Sequence, residues 1–291
     1  MDKFRGLFSM RFLFIIPALC LFSIFVYYPF LGGVFYSFTQ WDGVNTPVFI
    51  GMKNYMDILQ DSQIRQATLN TLYIVFVGIG VSTPLSLLLA LGLNRPLKSK
   101  HILRTVYYLP SVISLIVVSL VWGNILQYDG ILNALLTQAG LGVFVKDWLG
   151  TVDTALLSMV SIMVFQSVGY GAVIYLAGLQ SIPQDLKEAA RMDGASGWYE
   201  FWHITLPLLM PSITISTFMS LVGGLKMFDL PFVLTNGGPG YSTTTLALTL
   251  YKFLSNLTYG YAAAGGVLFM IMIVIITLLQ LNFTRKREVE Y

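Results

Sequence analysis

The stretch that decides the fold runs from Leu179 to Pro211 and reads LQSIPQDLKEAARMDGASGWYEFWHITLPLLMP. It is the longest polar insertion in an otherwise apolar chain, and an apolar segment lies on each side of it. Pro183 suits the first turn of a helix, Asp185 favours the positive N-terminal end of a helix, and Gly194 suits a helix end. The stretch therefore predicts a short polar helix over residues 183–193.

The composition is that of an integral membrane protein. Of 291 residues, 56% are hydrophobic and only 11% are charged, and the mean hydropathy is +0.73. Soluble domains carry about 25% charged residues. The net charge of +3 is too small to favour nucleic acid as a partner, because the basic residues sit in short clusters beside apolar segments. The single cysteine excludes an intrachain disulfide, and the two histidines are too far apart in sequence to predict a metal site.

Six segments are long and apolar enough to predict transmembrane helices, each of which needs about 20 apolar residues. They cover residues 12–35, 69–93, 106–126, 154–179, 204–225 and 261–283. The sequence therefore predicts an all-α integral membrane protein with a single transmembrane domain over residues 1–291. The first segment follows Lys3, Arg5 and Arg11 without a cleavage-site pattern, so we interpret it as a retained span.

The distribution of Lys and Arg predicts which loops face the cytoplasm, because short loops rich in these residues stay inside. With both termini inside, twelve of the seventeen basic residues fall on the cytoplasmic side. The same topology places the 180–203 loop in the cytoplasm, although that loop carries two basic and four acidic residues.

The predicted spans contain polar groups that suit a solute pathway, but no acidic residue. Ion-coupled carriers often place a carboxylate at the membrane centre, where its cost restricts it to a functional role. Gln166 and Tyr170 lie four residues apart in the fourth span, and Ser216 and Ser220 share one face of the fifth, with Lys226 near its outer end. These residues are predicted to line a pathway for a hydroxyl-rich solute. Gln166 and Tyr170 also suit a hydrogen-bonded contact between packed helices, and the serines equally suit a helix-packing seam. Lys226 suits a side chain that extends to the membrane surface.

Residues in and after the predicted polar helix resemble a known family. Glu188-Ala189-Ala190, then Gly194, then nine residues, and then Ile204-Thr205-Leu206-Pro207 are similar to the cytoplasmic signature of permease subunits of bacterial ABC importers. The resemblance implies a type I ABC importer permease fold with six transmembrane helices. It makes residues 180–203 a cytoplasmic coupling loop, whose coupling helix docks on an ATPase subunit. The residues that it assigns to this contact are Glu188, Ala189, Ala190, Arg191, Asp193 and Gly194.

A second resemblance concerns the solute. The sequence LTNGGPG at 234–240, three threonines at 243–245 and GYAAA at 260–264 are similar to the segment before the last span in carbohydrate importer permeases of the maltose and glycerol-phosphate type. The resemblance implies import of an oligosaccharide or related polyol across the bacterial cytoplasmic membrane. The partners that it implies are a second permease subunit, two cytoplasmic ATPase subunits and an extracytoplasmic solute-binding protein, besides membrane lipid.

The chain carries no GxxxxGK sequence followed by Ser or Thr, so it lacks a Walker-type nucleotide site. We therefore expect no catalytic residue and no cofactor in this chain, and we expect ATP and Mg to be used by the partner ATPase. The alternatives are a permease for an amino acid, peptide or glycerol phosphate, and an ion-coupled carrier that works alone. A membrane-embedded enzyme is a third alternative, but no clustered Asp, His or Ser–His arrangement supports it.

Overall fold

Helices dominate the computed structural model, which describes residues 14–96 and 98–288. Among these residues, six helical segments are long and apolar enough to cross a membrane. They are Phe14–Tyr36, Ser62–Leu93, Leu115–Gln138, Val152–Ser181, Gly197–Leu225 and Tyr259–Arg285. The third segment consists of two helices with a non-helical turn at residues 127–130. The predicted all-α membrane fold with six spans is confirmed.

The helices and strands follow one another in a simple order. The helices are α1 (Phe14–Tyr36), α2 (Lys53–Gln60), α3 (Ser62–Leu93), α4 (Lys100–Val112), α5 (Leu115–Leu126), α6 (Ile131–Gln138), α7 (Val152–Ser181), α8 (Gln184–Met192), α9 (Gly197–Leu225), α10 (Asp229–Leu234), α11 (Leu246–Ser255) and α12 (Tyr259–Arg285). Two short strands, β1 (Thr39–Gln40) and β2 (Val48–Phe49), pair antiparallel between α1 and α2. Within α9, residues Phe201–Thr205 form a π-helical turn.

The described residues form two compact units. One unit comprises residues 14–61 and 250–271, and the other comprises residues 62–249 and 272–288. The larger unit contains α3, α7 and α9, which pack on one another around two apolar clusters. One cluster centres on Ile74 and Met159, the other on Tyr175 and Leu209, and all four side chains are fully buried.

Glycines on α7 let its neighbours in the larger unit approach closely. A Cβ on Gly169 would overlap the carbonyl oxygen of Tyr107 in α4, and a Cβ on Gly178 would overlap the hydroxyl of Ser212 in α9. Glycine in a helix interior costs about 1 kcal/mol relative to alanine. In a membrane, small residues at helix contacts offset this cost through closer packing. The glycines therefore set the spacing of α7 from α4 and α9.

The predicted third span, residues 106–126, is divided in the structure. α4 ends at Val112 and α5 begins at Leu115, because Ile113 and Ser114 adopt extended backbone with ψ of 138° and 134°. The division leaves carbonyl groups without helical partners, and these are costly inside a bilayer. The side-chain amide of Gln166 on α7 donates to the Ile113 carbonyl at 3.1 Å and satisfies one of them.

Threonine and asparagine side chains hold the 235–245 turn in the larger unit. Asn70 of α3 donates to the carbonyls of Tyr241 and Thr244 at 2.9 and 3.0 Å. The hydroxyls of Thr243 and Thr244 donate to the carbonyls of Gly238 and Gly237 at 2.7 and 2.9 Å. The turn has no regular secondary structure, so these side chains satisfy backbone carbonyls that a helix or a sheet would otherwise satisfy.

In the smaller unit, α2 is anchored on the chain that follows α1. Asn54 donates to the carbonyls of Ser37 and Thr39, both at 2.9 Å, and the hydroxyls of Ser37 and Tyr55 lie 2.6 Å apart. Asn54 and Ser37 are buried, so these bonds satisfy polar groups that lack water. They fix the position of the short β-hairpin relative to α2.

Candidate functional site

α8 is the helix that the polar stretch predicts. It runs Gln184–Met192, within one residue of the predicted range at each end. It ends where Gly194 takes a φ of +80°. The N–H groups of Gly194 and Ala195 donate to the carbonyls of Arg191 and Ala190 at 3.1 and 2.9 Å, which is a Schellman motif. Because a positive φ suits glycine, the motif explains the glycine at position 194.

A cleft of about 700 Å³ lies between α8 and the start of α9. It is lined by Leu186, Ala189, Ala190, Asp193, Gly194, Ala195, Ser196, Tyr199 and Ile204. Four of the six residues that the resemblance assigns to ATPase contact, at positions 189, 190, 193 and 194, line this cleft. Glu188 is exposed on α8 but lies outside the lining.

The sixth of these residues, Arg191, faces α9. Its Nε donates to Oε2 of Glu200 at 3.0 Å, and the two side chains form an ion pair. The side chain of Glu200 is 11% exposed, whereas that of Arg191 is 65% exposed. The pair joins α8 to α9 across the turn that contains Gly194.

A second cavity, here called the central cavity, lies halfway along α7. Its volume is about 420 Å³, and it is lined by Ser111, Leu115, Met163, Gln166, Ser167, Tyr170, Met219, Ser220, Gly223, Gly224 and Met227. Three of the five residues predicted to line the pathway therefore line the same cavity, namely Gln166, Tyr170 and Ser220. α7 and α9 supply most of the lining. The rest comes from Ser111 of α4, Leu115 of α5 and Met227, which follows α9.

Comparison with known proteins identifies the family. The profile of the binding-protein-dependent transport system inner membrane component matches residues 82–289, which are most of the chain. The chain belongs to this family. It is a multi-pass membrane protein and a permease component of a transport system.

Similar proteins cover almost the whole permease. It is 34% identical over 279 residues to the probable starch degradation products transport system permease protein AmyD of Thermoanaerobacterium thermosulfurigenes, covering 96% of this chain and 94% of that one. It is 37% identical over 279 residues to the multiple sugar-binding transport system permease protein MsmF of Streptococcus mutans, with 95% of each chain covered. A chain of the bacterial ABC transporter involved in the import of the acidic polysaccharide alginate superposes with a TM-score of 0.85 at 25% identity, over 98% of this chain and 99% of that chain.

The lining of the central cavity suits a neutral solute with hydroxyl groups. The side chains of Gln166, Tyr170 and Ser220 supply an amide, a phenol and a hydroxyl, while methionines and Leu115 supply apolar surface. No Asp, Glu, Lys, Arg or His is among the described residues that line it. Binding sites that combine apolar surface with a few placed polar groups are typical of small-molecule recognition.

The other two predicted pathway residues lie elsewhere in the permease. Ser216 is 3% exposed and faces α7, where a Cβ on Gly171 would come within 3.4 Å of its hydroxyl oxygen. Lys226 caps the C-terminal end of α9 and is exposed. Neither residue is among those that line the central cavity. The serines of α9 therefore divide between a packing seam at Ser216 and the cavity wall at Ser220.

The sequence did not reveal two contacts that the structure shows at these sites. It did not single out Glu200, although a lone carboxylate within the aromatic segment 198–202 signals a need for a partner. It also assigned Gln166 to the pathway without the structural role that its bond to Ile113 adds. Both contacts are tertiary, so spacing along the chain carries little information about them.

A third cavity lies further along the same face of α5. It holds about 510 Å³ and is lined by Ser119, Leu120, Gly123, Asn124, Gln127, Tyr128, Asp147, Leu149, Gly150, Val233, Leu234, Thr235, Gly238 and Pro239. Leu115 of the central cavity and Ser119 and Gly123 of this one recur every four residues of α5. They share one helix face, so the two cavities follow each other along α5.

Proposed function

We propose that this permease forms, with a second permease subunit, the translocation pathway of an ATP-driven importer of neutral sugars. The solute is an oligosaccharide or a related polyol. The observation that carries this proposal is the central cavity, where Gln166, Tyr170 and Ser220 provide hydrogen-bonding groups and no charged side chain contributes to the described lining. Such a site binds hydroxyl groups without selecting a charge.

The relatives support the solute class. AmyD is named for starch degradation products and MsmF for multiple sugars, and a third relative, at 33% identity over 288 residues, is the trehalose/maltose transport system permease protein MalF of Thermococcus litoralis. Sugar rings present an apolar face and a hydroxylated rim, and the methionines and polar groups of the cavity match these two surfaces. An acidic sugar is disfavoured because the described lining offers no cation.

The cleft beside α8 supports the proposed docking of an ATPase. A short helix that presents small residues beside a groove suits insertion into another protein. We assign the contact to Glu188, Ala189, Ala190 and Gly194, together with Asp193, which also lines the cleft. In the proposed topology both termini and the 180–203 loop are cytoplasmic, which places this contact on the side where ATP is available.

The proposed assembly contains two cytoplasmic ATPase subunits and an extracytoplasmic solute-binding protein in the bacterial cytoplasmic membrane. ATP and Mg would bind the ATPase subunits, since this chain carries no Walker-type sequence and no site for a cofactor is proposed in it. The third cavity, which lies beside α5, would open on the outer side of the membrane. A solute released by the binding protein would then reach the central cavity along α5.

The test is uptake by the complete complex in proteoliposomes that contain ATP and Mg. The probes are radiolabelled maltose, trehalose and lactose. Radiolabelled histidine and methionine serve as the amino-acid comparisons. We expect ATP-dependent uptake of at least one neutral sugar and none of either amino acid. Uptake of an amino acid in place of the sugars would overturn the solute class. Transport by the permease after removal of all ATPase subunits would instead favour an ion-coupled carrier.

A further inference from the structure

We propose that the ion pair between Arg191 and Glu200 is the contact that transmits movement of α8 to the spanning helix α9. Arg191 thereby acts on its own chain as a positioning residue, and not as a direct contact of the ATPase. This inference rests on the proposed function, because it assumes that α8 docks on an ATPase. It assigns to Glu200 a role that the sequence resemblance does not contain.

The geometry of the pair favours a mechanical link. Arg191 lies in the last turn of α8, and Glu200 lies in the first turn of α9. Within residues 184–225, all of which the structure describes, it is the one ion pair and the one side-chain hydrogen bond that joins the two helices. The backbone between them turns at Gly194, where the two hydrogen bonds of the Schellman motif hold the turn. The side-chain pair is a further link between the two helices, and it resists their movement relative to each other.

The helix that contains Glu200 leads directly into the membrane. From Glu200 it continues through the π-helical turn Phe201–Thr205 into the span, without a loop. The same helix carries Ser220 on the wall of the central cavity. A displacement of Arg191 would therefore be transmitted along one continuous helix to the cavity.

The two side chains of the pair differ in burial, and the link between the helices depends on both of them. Glu200 is enclosed, so its carboxylate needs a cation close by, whereas Arg191 remains largely in water. Loss of either side chain removes the same attraction, so the two single substitutions should have the same effect on the link. A reversed pair restores the attraction with the charges exchanged, and this is the basis of the test.

The test follows the movement of α9 and needs no knowledge of the solute. Cys20 is the single cysteine of the chain, so Cys20→Ser combined with Ser220→Cys places one reporter thiol on the cavity wall. The complete complex, with its ATPase subunits and binding protein, is labelled with N-ethylmaleimide. Labelling rates are compared without nucleotide and with ATP plus vanadate, and the ratio of the two rates is the nucleotide response.

We expect Arg191→Gln and Glu200→Gln each to reduce the nucleotide response at least about fivefold, the lower end of typical coupling between sites. The amount of ATPase that copurifies and the labelling rate without nucleotide should stay within about twofold of the parent, a change of roughly 0.4 kcal/mol. The exchange Arg191→Glu with Glu200→Arg should restore the response. Lys187→Gln is the matched control, because it removes one positive charge from α8 but no ion pair, and its response should equal that of the parent.

Three other results would overturn either the role of the ion pair or the proposed function. A normal response in Glu200→Gln with a loss in Arg191→Gln would show direct contact of Arg191 with the ATPase and would overturn the proposal. Parallel loss of copurified ATPase and of labelling without nucleotide would show a purely structural pair, and would overturn it too. If the parent itself copurified without an ATPase, or showed no nucleotide response, the proposed function would fail and the inference with it.

Discussion

The side-chain amide of Gln166 donates to the carbonyl of Ile113 at 3.1 Å, and so one residue of the cavity wall also holds the division between α4 and α5. Ser111 and Leu115, which lie on either side of the division, line the same central cavity. Solute recognition and helix geometry are therefore linked at Gln166, and a substitution there should affect both.

Gln166→Leu should destabilise the permease and weaken solute binding together. Loss of the donor leaves the Ile113 carbonyl unsatisfied, and interhelical hydrogen bonds in membranes contribute about 0.6–2 kcal/mol. The measurements are thermal unfolding in detergent and the KM for sugar uptake. Ser167→Ala is the matched control, since this residue also lines the cavity but its hydroxyl donates to the Val164 carbonyl of its own helix. We expect Ser167→Ala to leave the unfolding temperature unchanged, and equal destabilisation by both variants would refute the role given to Gln166.

The contact between α7 and α9 predicts a second effect on stability. Gly178→Ala places a Cβ against the hydroxyl of Ser212 and within 2.7 Å of Cδ1 of Leu209. Overpacking of this kind costs about 1–3 kcal/mol. Gly92→Ala in α3 is the control, because a Cβ there has no other atom within 4 Å. It should be neutral or stabilising, since alanine favours a helix by about 1 kcal/mol.

Unfolding of both glycine variants in the same detergent measures the difference directly. A lower unfolding temperature for Gly178→Ala than for Gly92→Ala is the expected order. The reverse order would mean that α7 and α9 can separate at no cost. The conclusion that the glycines of α7 set its distance from α9 would then be wrong.

These contacts also show which features follow from sequence. The helix ending at Gly194 was predictable, because a proline start and a glycine end act within one turn of the chain. The different places of Ser216 and Ser220 were not, since both lie on one face of α9 and only the position of α7 separates them. The pairing of Arg191 with Glu200 likewise depends on how the chain turns between two helices. Local rules give helices and their ends, whereas tertiary packing decides which side chains reach a cavity.

The stability of the turn after β1 should depend on pH, because the carboxylate of Asp42 accepts hydrogen bonds within it. The backbone N–H of Asn45 holds the pKa of Asp42 below its ordinary value of 3.8, with further bonds from the Val44 N–H and the Asn45 side chain. A lowered pKa in the folded state means that the carboxylate stabilises the turn above the ordinary pKa. This contribution is lost as the pH falls through the folded pKa, which lies below 3.8.

Hydrogen exchange at Val44 and Asn45 measures this effect. Protection factors corrected for intrinsic exchange should be constant above about pH 5 and should fall on acidification below about pH 4. Asp42→Asn keeps an acceptor in the same place but does not titrate, so its protection should not change over this range. A fall of the same size in Asp42→Asn would assign the pH dependence to another group.

Gly194→Ala should reduce coupling to the ATPase because it distorts the end of α8. The φ of +80° lies in the left-handed region, where a residue with a Cβ costs about 1–2 kcal/mol. The strain is relieved if the Schellman motif opens, which moves the rim of the cleft that Gly194 lines. We expect less copurified ATPase and less sugar-stimulated ATP hydrolysis, with normal insertion into the membrane.

The matched control for Gly194→Ala is Gly197→Ala, three residues along the chain. Gly197 begins α9 without a positive φ, and a Cβ there has no other atom within 4 Å. Alanine should therefore be tolerated at 197 and should preserve sugar-stimulated hydrolysis, because it introduces neither strain nor overlap. If both variants lost ATPase to the same extent, the loss would come from altered flexibility of the 193–197 segment, and the specific role of the helix end at Gly194 would be excluded.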